Sequence, residues 1–276
     1  VILTLSSIPP RFGLLEPTLR RLLQQTAEID AIELYIPRSY RRYPEWDGTL
    51  PEVPEPVRIV RCEEDLGPAT KVLFAAQAYR GQDLDLLLCD DDRRYRPNWA
   101  QAFIDARAKH PDYCLAIAGF EANRYRQSRM KDRPQPRALP RRALLDPGFM
   151  AQMLWEFAFP PVDRKVLHDP PRRRFRRSGY IDCFEGLGGA LVKPDFFDDE
   201  VFDIPPVLWT VDDVWLSGHL ARRGIPIWVI ADEFDTQHTP AGTTDALYQS
   251  EIEGARRNEA NRRCIAYFRE HYGIWP

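Results

Sequence analysis

Strand-like and helix-like patterns alternate through the first 120 residues, and this alternation restricts the fold more than any other feature. "VILTLSS" is apolar and β-prone. "PTLRRLLQQT" follows, with Leu19, Leu22, Leu23 and Thr26 at helical spacing and Pro17 suited to a first turn. "AIELYIP" and "VRIVRC" read as strands, and "ATKVLFAAQAY" as a helix with Val72, Ala75, Ala76 and Tyr79 turned inward. "LDLLLC" is a continuous apolar run of the kind buried on both faces. "NWAQAFIDARAKH" then predicts an amphipathic helix and "YCLAIAG" a strand. Repeated βαβ units predict an α/β fold with a mostly parallel sheet and helices on both faces.

The middle of the chain breaks this rhythm. Residues 124–177 are rich in Arg and Pro, with "RYRQSRMKDRPQPRALPRR" and "DPPRRRFRR" on either side of "DPGFMAQMLWEFAF". The last piece predicts one helix, with Asp146 as N-cap and Pro147 at its first position. One domain over 1–276 is expected, with a nucleotide-binding half (1–120), an Arg-rich insertion (121–180) and a second half (181–276) that ends in a helical tail. The 276 residues suffice for a sizeable core, and the net charge of −3 argues against coating nucleic acid. No apolar run reaches the roughly 20 residues of a membrane span. "VILTLSS" lacks a basic leader and a Met, so a trimmed chain or a domain of a longer protein is expected. The five cysteines are scattered, without C-x-x-C, which argues for reduced thiols in the cytoplasm.

The apolar run of "LDLLLC" ends in Asp90, Asp91 and Asp92. In open α/β sheets, ligands bind beyond the carboxyl ends of strands. If the chain stays extended there, Asp90 and Asp92 share a face and Asp91 points away. Packed carboxylates are costly without a compensating cation. Mg²⁺ or Mn²⁺, with hard oxygen ligands, is a natural partner; a solvated acidic turn is the alternative. A second acidic pair, Asp212 and Asp213, opens "DDVWLSGHLARRG". Asp212 fits an N-cap and Gly224 the stop, which leaves Asp213 free to act as a general base. Lys71 at a predicted helix start is unfavourable for the dipole, which suggests that it serves an anion.

Four pieces in order, "LSSIPPRF", "DLGPATKVL", "LLLCDDDRRYRPNW" and "FEGLGGALV" followed by "VDDVWLSGHLARRG", resemble the GT-A fold glycosyltransferases, within them the bacterial family-2-like enzymes. The resemblance implies a Rossmann-like nucleotide-sugar-binding sheet. It implies that Ser7, Ile8, Pro9 and Arg11 border the nucleotide base and that Thr70 and Lys71 contact the donor. It makes Asp90, Asp91 and Asp92 the D-x-D element, with Asp90 and Asp91 on the donor and Asp92, helped by Asp90, on Mn²⁺ or Mg²⁺. Residues 185–189 look like the wall under the transferred sugar, with Gly188 and Gly189 close to the donor and Glu185 toward the acceptor. Asp213, beside Asp212, looks like the base of inverting members. A late His closes the metal shell in some relatives, and His238 stands in that place; it also reads as an ordinary loop residue. Trp209 and Trp215 flank the second acidic pair and are candidate acceptor contacts or core residues. The pattern departs from the family at Arg93 and Arg94, beside the metal element, and in Asp-Asp where many relatives carry Glu-Asp.

The implied activity is metal-dependent sugar transfer from a nucleotide-diphosphate sugar, a UDP-sugar favoured. The acceptor would be a glycan or a lipid-linked molecule in bacterial polysaccharide or glycoconjugate synthesis. The Arg-rich insertion would bind an anionic acceptor or an anionic membrane surface, at the cytoplasmic face, or else be a solvated loop. Two other classes compete, a different metal enzyme on a similar sheet (a nucleotidyltransferase or a phosphatase) and a non-catalytic binding module. A nucleotidyltransferase-like metal enzyme would usually carry a Gly-rich loop after the first strand, and "SSIPPRF" has none. A phosphatase with an Asp nucleophile would carry Thr or Val where Arg94 stands. A non-catalytic glycan or anionic-surface module leaves both acidic pairs unexplained.

Overall fold

The computed structural model describes residues 1–125, 133–143, 146–159, 172–231, 233–245, 251–252 and 254–276. The strands run in chain order as β1 (Ile2–Ser6), β2 (Ala31–Pro37), β3 (Arg58–Cys62), β4 (Leu86–Leu88), β5 (Arg93–Arg94), β6 (Cys114–Ala116), β7 (Gly119–Phe120), β8 (Leu139–Pro140), β9 (Phe175–Arg177), β10 (Gly179–Ile181), β11 (Cys183–Phe184), β12 (Ala190–Val192), β13 (Ile227–Val229) and β14 (Gln237–His238). The α-helices are α1 (Glu16–Leu23), α2 (Thr70–Ala78), α3 (Trp99–Arg107), α4 (Pro147–Ala158), α5 (Asp212–Arg222) and α6 (Arg257–Tyr272).

The main sheet has eight strands in the order β10-β13-β6-β12-β4-β1-β2-β3. Strands β3, β2, β1 and β4 are parallel neighbours, as are β13 and β6. The α/β class and the mostly parallel sheet agree with the alternation read from the sequence. The antiparallel exceptions are β12, wedged between β4 and β6, and β10 on the edge.

Successive strand residues point to opposite faces, so the apolar runs feed two cores. On one face, Ile2, Leu86, Leu88 and Ala190 pack with α2, α5 and α6. On the other, Leu3, Leu5, Leu34, Leu87 and Leu191 pack with α1 and α3. This explains why "LDLLLC" does not alternate in polarity: Leu86, Leu87 and Leu88 are all fully buried. Trp215 and Phe268 lock α5 to α6, and Gly218 lets the Phe268 ring lie directly on the α5 backbone.

Two details differ from the sequence expectation. The helical tail starts only at Arg257, because residues 251–252 and 255–256 form short strands; 246–250 lie outside the described residues. In the Arg-rich region, Arg137 pairs with Glu121 and reaches Asp182 at 2.7 Å, and Arg133 reaches Asp182 at 2.6 Å. These arginines tie the segment to the sheet. Residues 126–132 and 160–171, which hold much of the Arg-rich sequence, lie outside the described residues.

His219 is buried to 1% exposure on α5, against Trp215 and Phe268, and among the described residues neither ring nitrogen has a hydrogen-bond partner. Burial, with Arg222 nearby, pushes it down to about 4. The folded state therefore holds His219 neutral in a range where the unfolded chain binds a proton. Stability present above about pH 6.5 should be lost as pH falls toward 4, by up to about 3 kcal/mol. His219→Leu should flatten that part of the stability curve; urea titrations at pH 5 and pH 7.5 measure it. An unchanged pH slope in the variant would rule His219 out as its source.

Candidate active site

A cleft of about 370 Å³ opens beyond the carboxyl ends of β1, β2 and β4. Ser7 and Ile8 reach it from the loop after β1, Tyr40 from the loop after β2, and Thr70 and Lys71 from the start of α2. The turn after β4 brings Asp90, Asp91 and Asp92, and the start of α5 brings Asp212 and Asp213. Arg11, Glu185, Trp209 and His238 complete the predicted residues that line it.

The extended geometry expected through the three aspartates is not what forms. Regular strand ends at Leu88 and the chain turns at Asp91, so the side chains fan out instead of alternating. Asp91 points inward and is the most buried of the three. It accepts from the Ser7 hydroxyl and, at 2.7 Å, from Arg11 Nη1. Thr18 Oγ1 fixes the same turn by donating to the Asp91 carbonyl at 2.8 Å. Asp90 faces the other way, toward Lys71 Nζ at 2.7 Å. Asp92 is held least: Arg11 and Arg93 approach it only to 3.3 Å. Burial pushes Asp91 up to about 6 against the pull of Arg11. Burial also works to raise Asp90, but Lys71 outweighs it and holds Asp90 below the ordinary carboxylate range.

The second pair also departs from expectation. Val211 occupies the N-cap position of α5 without a side-chain cap, so Asp212 and Asp213 are the first two helical residues. The predicted capping role of Asp212 is thus corrected: it meets Lys71 Nζ at 3.1 Å. Asp213 Oδ1 accepts from the Gly186 N–H at 2.9 Å, and Oδ2 lies 3.2 Å from Arg257. Burial and then the neighbouring Asp212 push Asp213 up to about 7, although Arg257 and Lys71 oppose the shift. Lys71 is itself buried, which would favour losing its proton. Asp212, Asp90 and Asp213 hold it well above the usual lysine value. One lysine thus ties together two acidic pairs that lie more than a hundred residues apart in sequence.

The remaining candidates separate into two sets. Thr70 Oγ1 accepts from the Leu66 N–H at 3.1 Å and shapes the turn into α2. Glu185 accepts from Arg174 at 2.8 Å. Trp209 donates to the Asp65 carbonyl at 3.0 Å and sits under Arg41. His238 pairs with Arg93 across β14 and β5, and the Thr239 N–H donates to the Asp92 carbonyl at 2.9 Å, so His238 flanks the acidic turn. Trp215, by contrast, is a core residue at 1% exposure and donates to the Val201 carbonyl. Pro9 starts a 3₁₀ turn and does not line the cleft. Gly188 and Gly189 also face away from it. Gly189 has φ +90, and a Cβ there would strike Trp99. The glycine of this turn that packs against the site's side chains is Gly186, where a Cβ would lie 3.0 Å from Asp213 Oδ1 and 3.1 Å from Lys71 Nζ.

Arg257, Tyr40, Arg42, Tyr43 and Asp245 also line the cleft and were not singled out by the sequence. Arg257 is a cation at a helix start, the same unfavourable placement that marks Lys71, but that start shows only in the structure, since the sequence extends the tail helix further upstream. Arg42 and Tyr43 both engage Asp245, Arg42 at 2.6 Å, which joins the loop after β2 to the loop after β14.

Among the described residues, no three His, Cys, Asp or Glu side chains form a ready-made metal cage. Mg²⁺ and Mn²⁺ commonly take one or two protein carboxylates and draw the remaining oxygens from substrate phosphates and water. Asp92, held only by ion pairs of 3.3 Å to Arg11 and Arg93 and lining the cleft with His238, suits that arrangement. Carboxylates also outnumber cations in the lining. Asp65, Asp90, Asp91, Asp92, Glu185, Asp212, Asp213 and Asp245 stand against Arg11, Arg42, Lys71, Arg93 and Arg257. An anionic ligand entering this field needs added positive charge.

No family model matches the chain, and no curated protein matches it. Among solved structures, it is similar to a crystal structure of S. aureus TarS 1-349, with 12% identity and a TM-score of 0.45 over 99% of this chain and 72% of that one. A longer S. aureus TarS structure gives the same identity and TM-score over 43% of its length. S. aureus TarS 1-349 in complex with UDP gives 11% identity and a TM-score of 0.45.

Proposed function

We propose that the chain is a metal-dependent glycosyltransferase that moves a sugar from a nucleotide-diphosphate sugar, a UDP-sugar favoured, to an acceptor hydroxyl with inversion. One observation carries this: two acidic clusters from opposite halves of the chain meet in a cleft beyond the strand ends, where Lys71 pairs with Asp90 of one and Asp212 of the other. Asp92, with Asp90 or His238, would hold Mn²⁺ or Mg²⁺. When bound, the ion supplies charge to stabilise the departing diphosphate. Lys71 and Arg11 position the acidic turn, and Arg93 adds positive charge beside it. Asp213 receives the acceptor proton. Its carboxyl is buried and pushed up to about 7, close to the value at which a base is both ionised and avid for a proton near neutral pH. Gly186 N–H fixes one oxygen, so the other has a defined direction. Glu185 and Trp209 line the same cleft and fit the acceptor side.

The binding test is thermal melting with UDP and Mn²⁺, singly and together. The two together should stabilise the protein by about 2.7 kcal/mol at a hundredfold excess over Kd, several degrees in Tm. Each alone should do less, because UDP alone adds negative charge to an acidic cleft and the metal alone lacks the phosphate oxygens that fill out its shell. A screen of nucleotide sugars for slow hydrolysis would then identify the donor. No shift with any nucleotide and metal combination would remove the proposal.

A further inference from the structure

Helix α4 is unusual for a helix in water. Met153, Leu154, Trp155, Phe157 and Phe159 at its end are all exposed, Phe157 to 89%. Met150, Met153, Leu154 and Phe157 recur at i, i+3, i+4 and i+7 and form one apolar stripe. Trp155 and Phe159 pack one turn apart, with ring centroids 4.6 Å from each other and planes tilted by 40°. Glu156 is the only charged residue between 147 and 159. The helix is nonetheless well started: Asp146 caps it by accepting from the Phe149 N–H, and Pro147 opens its first turn. A helix formed this deliberately with its apolar side uncovered has an occupant to meet.

Its base indicates which. The helix is rooted in the β8–β9 hairpin, whose flanks read "RALPRRA" and "RRRFRRS" without a single acid. Arg142, Arg176 and Arg177 are exposed there, and Arg172 lies over the Phe149 ring at 5.8 Å. Aromatic and aliphatic side chains beside a belt of arginines match the acyl boundary and the headgroups of an anionic bilayer. The exposed charged side chains at this base, Arg142, Arg176 and Arg177, are all cationic, which complements an anionic headgroup layer. With 12 residues, about 18 Å long, α4 is too short to cross a bilayer but fits lying in its surface. Among the described residues, no helix is long and apolar enough to span.

We infer that α4 and the β8–β9 arginines form an interfacial docking surface for anionic lipid. Arg174, in the same hairpin, bonds Glu185 in the cleft lining at 2.8 Å and Asp235 at 2.5 Å, so the docked surface and the cleft share a wall. The acceptor would then be lipid-borne, a clause that rests on the transferase proposal; docking itself does not.

Flotation of the whole chain with phosphatidylcholine vesicles, with and without phosphatidylglycerol, tests docking without any activity assay. Binding should require the anionic lipid. It should weaken as salt rises from about 0.1 M to about 1 M and the screening length falls from about 10 Å to about 3 Å. Leu154→Ser with Phe157→Ser should cut binding at least about tenfold with no loss in Tm, because both side chains are exposed. Trp155 emission should shift to the blue on vesicle addition, and Trp155→Phe should remove that change. Absence of vesicle binding, or binding indifferent to both lipid charge and the double substitution, overturns the inference. So does concentration-dependent self-association that the double substitution abolishes in the absence of lipid, which would make a second copy the occupant. Docking without transfer would separate this inference from the transferase proposal.

Discussion

Asp213→Asn should lower the transfer rate roughly 10²–10⁴-fold, the usual contribution of a general base, while leaving UDP affinity within a few-fold of the wild type. The amide keeps the oxygen that accepts the Gly186 N–H, so the turn at residues 185–189 has no reason to move. What disappears is the group that takes the proton. The pH profile supplies a second reading of the same residue. Transfer in the wild type should rise as pH increases through about 7 and level off above it, since Asp213 must be ionised to act. The variant's residual rate should lack that rise. Stability should move the other way. Asp213 has its folded value raised, so the folded form holds its proton more tightly than the unfolded chain does. Stability is then lost as pH rises from the ordinary carboxylate range through about 7. Asn removes this penalty, and the variant should melt no lower than the wild type at pH 8. Asp212→Asn should do the opposite, because it takes a partner from the buried Lys71 and lowers Tm. Normal transfer by Asp213→Asn, or a product that keeps the donor's anomeric configuration, would contradict the mechanism.

The sheet was legible because its strands are short, apolar and separated by helical periodicity; both faces of β4 are buried, which is why three leucines stand in a row. The positions of the acidic residues were legible too, since carboxylates at the end of a buried strand have few harmless explanations. Their orientation was not. Whether Asp91 faces in or out depends on where the strand stops, and that depends on Ser7, Arg11 and Thr18 arriving from other elements. Asp212 looked like a cap because a helix follows it, but the helix starts one residue earlier than a capping role allows. Within the glycine-rich turn, Gly186 is the residue that packs against Asp213 and Lys71. Gly188 and Gly189 are required by Ile117 and Trp99 on the far side, contacts that only the packed sheet creates. Trp215 shows the same limit, as an aromatic beside an acidic pair that turns out to pack on α6. The sequence of α4 predicts a helix and leaves its burial open; its exposure follows from a core that closes without it.

Chelation should abolish transfer, and Asp92→Asn should reduce it by roughly 10³-fold or more, because stabilising the departing diphosphate is worth several kcal/mol. The expectation follows from charge. The cleft already has more carboxylates than cations, and a diphosphate adds further negative charge. Lys71 and Arg11, the nearest cations, are committed to Asp90, Asp91 and Asp212 and cannot also neutralise the donor without leaving buried carboxylates uncompensated. Asp92 is the member of the turn that can change without damage to the fold, since Arg11 and Arg93 stand 3.3 Å away and no close hydrogen bond is lost. Asp91→Asn is the contrasting control. It weakens the pair with Arg11 at the buried base of the turn, so it should lower Tm as well as activity. Asp92→Asn should keep its Tm, lose the cooperative stabilisation by UDP and Mn²⁺, and recover part of its rate at high Mn²⁺, because the Asn oxygen still offers a weaker ligand. Undiminished transfer in EDTA would show that the protein's own cations suffice, and the acidic turn would then be a scaffold for Lys71 and Arg11 instead of a metal site.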